Sequence, residues 1–316
     1  MERVLILGGA GFIGSNLVRK FCDSGMKVTV VDALLEKTGG RVKNLDNYAD
    51  KINFIDKGVE EIENLPSIIE NHELIIDAMG WTAHHEAIRN PLYDLRLNVI
   101  SHLSVINALN GQKGKLVIYI GSRGQYGSTE LEEIDEHVPM TPEDVQGVNK
   151  LCGESYYRVY SKFYQYNILS LRIPNCFGEN QVTADGDVGL IGGFIRDSLD
   201  GKVIEVYGDQ RKRSILYVSD LAELIFLLKD KIQIGFSALN INGVTLLIHE
   251  LAQKIIDIAK FGRLVVQQIP EDIRKMDMGS AGLNEDQMRR ILPDFKYSNL
   301  DLSLNNTINY FKIDRK

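Results

Sequence analysis

The chain has 316 residues, with 36 lysines and arginines against 43 aspartates and glutamates, a formal charge of −7. A composition of 44% hydrophobic and 25% charged residues is globular, which excludes disorder and collagen-like repeats. The acidity disfavours nucleic acid as a partner, since phosphate neutralisation needs a basic surface, and the length allows two lobes at ~150 residues each.

Taken in chain order, continuous apolar runs at residues 4–7, 28–31, 52–55, 74–76, 116–120 and 168–173 read as strands buried on both faces. Helical spacing fills the gaps, notably at 13–21, 98–109 and 150–163. Such alternation predicts an α/β fold, a Rossmann-type doubly wound parallel sheet with helices on both faces. After Pro174 the rhythm breaks. Residues 175–215 read as irregular and glycine-rich apart from a short strand at 203–207. A helix is expected at 219–228, a return to the sheet at 239–241, and short helices and strands over 244–316. The predicted division is a nucleotide-binding domain over 1–174, its sheet completed by about 214–243, and a smaller discontinuous C-terminal lobe from 175–213 and 244–316.

Cys22, Cys152 and Cys176 are widely spaced and form neither a disulfide framework nor a zinc pattern, so no metal is expected and a reducing compartment fits. The apolar opening at 4–7 is too short for a signal peptide, and runs such as 224–228 fall far short of the ~20 residues that span a bilayer. A cytoplasmic protein with no membrane partner is expected.

The first strand ends in Gly8-Gly9-Ala10-Gly11-Phe12-Ile13-Gly14, directly before a helix. Glycines at this spacing permit a tight turn, a close approach to a pyrophosphate and close helix–strand packing. The helix N-terminus then offers free N–H groups to the anion. Asp32 ends the second strand, 18 residues after Gly14, where a carboxylate accepts hydrogen bonds from the adenosine ribose. It would repel a 2′-phosphate, and Ala33 and Leu34 supply no cation, so NAD is favoured over NADP.

These features, with later segments, resemble the extended short-chain dehydrogenase/reductases that act on nucleotide sugars. The later segments are Ile118-Tyr119-Ile120-Gly121-Ser122 continuing to Tyr126-Gly127, Leu171-Arg172-Ile173-Pro174-Asn175-Cys176-Phe177-Gly178, and Tyr207-Gly208-Asp209 with Arg213 and Tyr217-Val218-Ser219-Asp220. The resemblance implies tightly bound NAD+/NADH held by Gly8, Gly11, Phe12, Ile13, Gly14, Asp32, Asp56 at the adenine, and Lys150 at the nicotinamide ribose. Asn98 is expected to open the helix before the fifth strand, and Lys150 to open the next. Hydride transfer at a sugar carbon, usually C4, would use Ser122 to bond the reacting oxygen. The nucleotide sugar, linked to GDP, UDP or dTDP, would meet Thr82, His84, Arg123, Asn175, Arg213 and Arg274. The family pairs through the helices near 98–109 and 150–163, so a homodimer or homotetramer is implied.

Two departures narrow the reaction. Gln146 stands four residues before Lys150, where the family keeps a catalytic tyrosine, and none of the 13 tyrosines has a lysine four residues on. An amide cannot take a proton at neutral pH. The base is then Lys150, or a water held by Gln146 or a histidine of the pair His84-His85; otherwise the chain binds NAD without turnover, as a sensor or assembly protein. Secondly, Arg123 and Gly124 stand where the family's dehydratases carry an acidic pair, which argues against a 4,6-dehydratase. The expected activity is oxidation at one sugar carbon, as in capsule-pathway members that oxidise C4 of a GDP-linked heptose, with 4-epimerisation as the alternative. The two histidines are expected on an extended stretch, pointing apart.

Overall fold

The computed structural model describes residues 1–182, 189–232, 235–274 and 279–314. In chain order β1 (Arg3–Leu7) leads into α1 (Phe12–Asp23), β2 (Lys27–Asp32), a 3-10 segment (Val42–Lys51), β3 (Ile52–Asp56), α2 (Leu65–Glu70) and β4 (Leu74–Asp77). Next come α3 (His84–Arg89), α4 (Pro91–Leu95), a π turn (Arg96–Ile100), α5 (Ser101–Leu109), β5 (Leu116–Ser122), β6 (Glu133–Ile134), α6 (Val145–Tyr164) and β7 (Asn167–Ile173). The remainder is β8 (Asn175–Phe177), α7 (Leu190–Leu199), β9 (Val203–Tyr207), β10 (Lys212–Tyr217), α8 (Val218–Leu228), β11 (Phe236–Asn240), β12 (Val244–Leu247), α9 (Ile248–Ala259), β13 (Arg263–Gln267), α10 (Glu271–Arg274), β14 (Gly282–Leu283), α11 (Asp286–Ile291) and α12 (Leu300–Asp314).

Seven parallel strands form the central sheet in the order β11-β7-β5-β4-β1-β2-β3. Period-two alternation sorts each strand's side chains between two cores. Val4 and Ile6 of β1 pack with Leu17, Phe21, Leu224 and Leu228 of α1 and α8 on one face. Leu5 and Leu7 pack with Ile69, Val105, Ile106 and Tyr157 of α2, α5 and α6 on the other. The chain runs outward from β1 to β3 and then returns to β4 on the other side of β1. That reversal opens a crevice at the C-terminal ends of β1 and β4, the place where open α/β sheets bind ligands.

A third core, with Phe194 and Ile195 of α7, Leu251 and Ile255 of α9 and Leu304 and Ile308 of α12, packs beyond the sheet's C-terminal edge. The sheets β12-β10-β8 and β13-β9 bring Phe177, Ile204, Val206 and Ile215 to this core, while β14-β6 carries a separate cluster of Tyr126, Ile134, Ala281 and Leu283. Residues 175–215 are therefore more regular than their glycine content implies: they hold β8, α7, β9 and most of β10, with 183–188 outside the described residues. Residues 244–316 likewise carry two full helices, α9 of 12 residues and α12 of 15.

Two predicted helix starts are corrected. Helix α6 begins at Val145, not at Lys150, because Asp144 caps it: its Oδ1 accepts the Gly147 N–H at 2.6 Å. Asn98 does not open a helix either. It lies inside the π turn that joins α4 to α5. Among the described residues no helix is long and apolar enough to cross a membrane.

Candidate cofactor and substrate site

The glycine turn at the end of β1 is shaped by what it must avoid. Gly8 has φ +74°, and a Cβ there would lie 2.9 Å from the Ala78 carbonyl oxygen across the crevice. A Cβ at Gly14 would lie 2.1 Å from Gly8 O, so α1 can press onto the turn only with glycine there. Gly11 is the N-cap of α1 and brings no capping side chain, which leaves the helix's first N–H groups directed at the crevice. This cradle fits a pyrophosphate.

Two adjoining cavities share Thr38, Ala78, Met79 and Gly80 and form one trough. The smaller, about 100 Å³, is bordered by Gly8, Asp32, Ala33, Lys57, Gly58 and Val59. Asp32 is partly committed to the backbone: Oδ2 accepts the Ala10 N–H and Oδ1 the Leu34 N–H, both at 2.9 Å. Burial raises its pKa while these N–H groups pull it back. The carboxylate thus braces the glycine turn as well as facing the trough. Asp56 is exposed at the end of β3 and does not border this cavity; the next three residues do.

The larger cavity, about 610 Å³, is bordered by Phe12, Ile13, Thr82, His84, Ser122, Arg123, Gln146, Lys150, Asn175 and Arg213. Arg274 lies exposed on α10 and is absent from this wall, which corrects its expected place. Arg211 takes a position there beside Arg213. Arg211 Nη1 donates to Tyr207 O at 3.0 Å, and Arg213 Nη1 donates to Lys212 O and Gly279 O, each at 2.8 Å. Both guanidiniums are thereby anchored by main-chain carbonyls at the cavity edge.

Lys150 sits on the cavity floor, 5% exposed. Its Nζ donates to Met79 O and Ile120 O, each at 3.2 Å. Burial lowers its pKa to about 8, against the opposing pull of the Asp77 and Asp94 carboxylates. Gly80, at φ +150°, makes room for it: a Cβ there would lie 2.7 Å from Nζ. One turn earlier, Gln146 is 2% exposed and its Oε1 has no hydrogen-bond partner. Ser122 ends β5 and its Oγ accepts the Gly124 N–H at 3.0 Å, so the hydroxyl proton is left to be donated. Of the tyrosines, Tyr207 borders the cavity among the described residues. Tyr119 and Tyr126 are buried elsewhere, donating to Lys150 O at 3.0 Å and to Asn240 Oδ1 at 2.8 Å.

His84 and His85 are not on an extended stretch. They open α3, and both border the cavity. His84 Nδ1 lies 2.6 Å from Asp144 Oδ2. Asp144 has its pKa raised by burial but lowered more by the His84 contact and the Gly147 N–H, for a net fall. Trp81 completes this wall: it is buried, its indole N–H donates to Lys37 O at 3.3 Å, and Tyr93 meets it edge-on at 5.0 Å. Among the described residues no group of three or more His, Cys, Asp or Glu side chains is placed to hold a metal.

Asp144, Arg211 and Trp81 are the site residues that the sequence reading missed. A signal existed for two of them. Residues 211 and 213 fall on one side of an extended segment, and an aspartate just before a helical run is an N-cap candidate.

The model of the NAD dependent epimerase/dehydratase family matches residues 4–242. UDP-glucuronic acid decarboxylase 1 of Xenopus tropicalis is 28% identical over 331 aligned positions, which span 98% of this chain and 72% of that protein. The crystal structure of UDP-glucose 4-epimerase from Thermotoga maritima with UDP-glucose has a TM-score of 0.88 at 24% identity, covering 99% of this chain and 100% of that one. UDP-glucose 4-epimerase of Thermus thermophilus, in complex with NAD, has a TM-score of 0.84 at 22% identity, covering 98% of this chain and 99% of that one. At these identities the two structures speak for the fold.

Proposed function

The chain belongs to the NAD dependent epimerase/dehydratase family, and from that premise we propose that it is an oxidoreductase acting on the C4 hydroxyl of a nucleoside-diphosphate sugar. The observation that carries this reading is the convergence of Lys150 and Ser122 on one large cavity that continues into the glycine cradle. Bound in the trough, oxidised NAD supplies the hydride acceptor. The free N–H groups at the start of α1 hold its pyrophosphate, Asp32 its adenosine ribose and Lys150 its nicotinamide ribose. The Ser122 hydroxyl donates to the sugar oxygen as a ketone develops. Asn175, Arg213 and Arg211 hold the sugar diphosphate, the guanidiniums matching phosphate oxygens. Gln146 Oε1 accepts a hydrogen bond from a sugar hydroxyl or water but takes no proton. Arg123 and Gly124 provide no acid pair, so water elimination is not part of this reading.

UDP-linked hexoses head the substrate panel, because proteins of the same fold are UDP-glucose 4-epimerases. dTDP-linked hexoses and a GDP-linked heptose, the latter prompted by the glutamine in place of tyrosine, complete it. A second reading, 4-epimerisation, differs in returning hydride to the opposite face, and the similar proteins favour it, since 4-epimerases are prominent among them. Incubating the protein with NAD and each sugar nucleotide, followed by mass spectrometry and NMR, separates the two: a keto sugar supports oxidation, an inverted C4 supports epimerisation. Loss of turnover in Lys150→Met and Ser122→Ala with folding intact is expected. Normal rates in both variants would refute these roles for the lysine and the serine.

The proposed setting is the reducing cytoplasm, in keeping with Cys22, Cys152 and Cys176 as free thiols. The proposed assembly is a homodimer or homotetramer. On α6 the exposed side chains Val148, Tyr156, Val159 and Phe163 recur at helical spacing, and Ile100 is exposed just before α5.

A further inference from the structure

Resting on the reading that Lys150 grips the nicotinamide ribose, we propose that Asp77 is a positioning residue for the cofactor: its carboxylate is the counter-charge that holds the Lys150 head on the cavity floor as an ammonium. Asp77 ends β4 and is fully buried. The next three residues, Ala78, Met79 and Gly80, border both cavities. Met79 is bonded to both charges. Its N–H donates to Asp77 Oδ1 at 3.2 Å, and its carbonyl oxygen accepts Lys150 Nζ at 3.2 Å. The other carboxylate oxygen, Oδ2, is met by His102 Nδ1 and by the Tyr157 hydroxyl, each at 2.6 Å. The carboxylate is therefore ionised: burial raises its pKa, but His102, Tyr157 and the Lys150 charge outweigh burial, for a net fall.

Hydrogen-bond accounting leaves that negative charge uncancelled within its own cluster. His102 is fully buried, with Nδ1 on the carboxylate and no partner at Nε2. An imidazolium would strand an N–H in the core. The ring is therefore neutral with its proton on Nδ1, and the cation that answers Asp77 is Lys150. An ammonium has three N–H donors. Two go to Met79 O and Ile120 O, each at 3.2 Å, while Nζ stands over the Tyr119 ring at 5.2 Å. The third is left for a ribose oxygen. A neutral amine would spend both of its protons on the two carbonyls. Asp77 borders neither cavity, so it acts on the cofactor through Lys150. The other titratable or charged groups around the lysine are Asp94 on α4, whose Oδ1 accepts Asn149 Nδ2 at 2.7 Å, Tyr119 on β5, Cys152, Glu154 and Tyr157 on α6, and Arg123, His84 and His85 at the same cavity.

The test uses the full chain, isotope-labelled, with NAD as the added ligand and the variants Asp77→Asn and Tyr157→Phe. Without NAD, the Lys150 Cε–H signals, assigned by their loss in Lys150→Met, should titrate with a midpoint of about 8. Asp77→Asn keeps an acceptor for the Met79 N–H but withdraws the charge, so the midpoint should fall by about one pH unit or more. Tyr157→Phe takes a hydrogen bond from the cluster and leaves the charge, so the midpoint should stay in place even where stability drops. By calorimetry, NAD should bind the unaltered protein more weakly as pH rises through about 8. In Asp77→Asn that weakening should begin about one pH unit lower, and at pH ~6, where both proteins hold the ammonium, the two affinities should agree. Nitrogen-15 spectra of the unaltered protein should show His102 neutral, protonated on Nδ1 and bare on Nε2. The inference is overturned if Asp77→Asn leaves the Lys150 midpoint in place, if Tyr157→Phe moves it as far, or if Asp77→Asn weakens NAD by one factor at every pH. It is overturned equally if His102 is an imidazolium at neutral pH, a result that needs no variant to fold. No NAD binding by the unaltered protein would instead overturn the cofactor reading, and this inference with it.

Discussion

Lys150 is a cation that folding takes out of water, and its ionisation is therefore coupled to stability. Its pKa falls to about 8 in the folded protein, against ~10.4 for a free lysine. Between those values the unfolded chain holds the proton and the folded chain does not, so this group makes stability rise with pH across the window. Lys150→Met removes that rise. Denaturant titrations should show the stability of the unaltered protein gaining on the variant by up to about 3 kcal/mol between pH ~8 and ~10.4; parallel curves would refute the burial argument. Asp32 yields a second expectation. Calorimetry should find NAD bound more tightly than NADP by tenfold or more, roughly the worth of one charge-assisted hydrogen bond. Asp32→Ala should weaken NAD too, since the turn loses its braces at Ala10 and Leu34. Asp32 was singled out by its offset from the glycine turn, and Ser122, Lys150, Asn175 and Arg213 by the family resemblance; all five border the trough. The pairing of His84 with Asp144 was not legible, since it joins residues 60 positions apart through tertiary packing alone. Arg274 was misjudged for the complementary reason: a lone arginine in sequence carries no record of the direction it faces.

At the scale of elements, α1 and its turn are held at a separation that only glycine allows. Gly14→Ala would place Cβ 2.1 Å from Gly8 O and 2.6 Å from Gly9 Cα. Backbone atoms cannot yield as a flexible side chain does, so a loss of about 1–3 kcal/mol or more is expected, together with loss of NAD binding by calorimetry. Helix α6 is tied to β7 by a buried ion pair: Arg172 Nη2 meets Glu154 Oε1 at 2.6 Å, and its Nε meets Oε2 at 3.1 Å. Gln125 and Ser170 add hydrogen bonds to the same carboxylate at 2.8 and 2.7 Å. Burial alone raises the Glu154 pKa, but Arg172 and these donors outweigh it and the net shift is downward. The stability it confers is present above the ordinary carboxylate range and is lost as pH falls through the folded value. Glu154→Ala, which strands the guanidinium, should cost about 3–5 kcal/mol in urea unfolding at neutral pH. The strands were readable because burial on both faces leaves unbroken apolar runs. Two helix starts were not, because Asp144 sets one from outside the periodic pattern and a π turn hides another within a longer helical stretch. Glycine content likewise masked β8, α7 and β10, whose order comes from packing against α9 and α12.

For the whole molecule, the row Val148, Tyr156, Val159 and Phe163 along α6 is more apolar surface than one helix face needs in water. If two copies cover it, Val159→Glu with Phe163→Glu should give a slower-sedimenting species than the unaltered protein, with unchanged circular dichroism. Equal sedimentation would remove that face from the assembly. The doubly wound parallel sheet followed from strand–helix alternation and right-handed connections, whereas the order of its strands had no local signal, and the discontinuous C-terminal segments showed only as a break in that rhythm after Pro174. One consequence of the site's architecture is practical. Trp81 is the single tryptophan of the chain and it forms part of the wall of the larger cavity. Its emission therefore reports from one known place: quenching as a ligand enters, or energy transfer to a reduced nicotinamide nearby, would be a label-free gauge of occupancy needing no subtraction of other indoles.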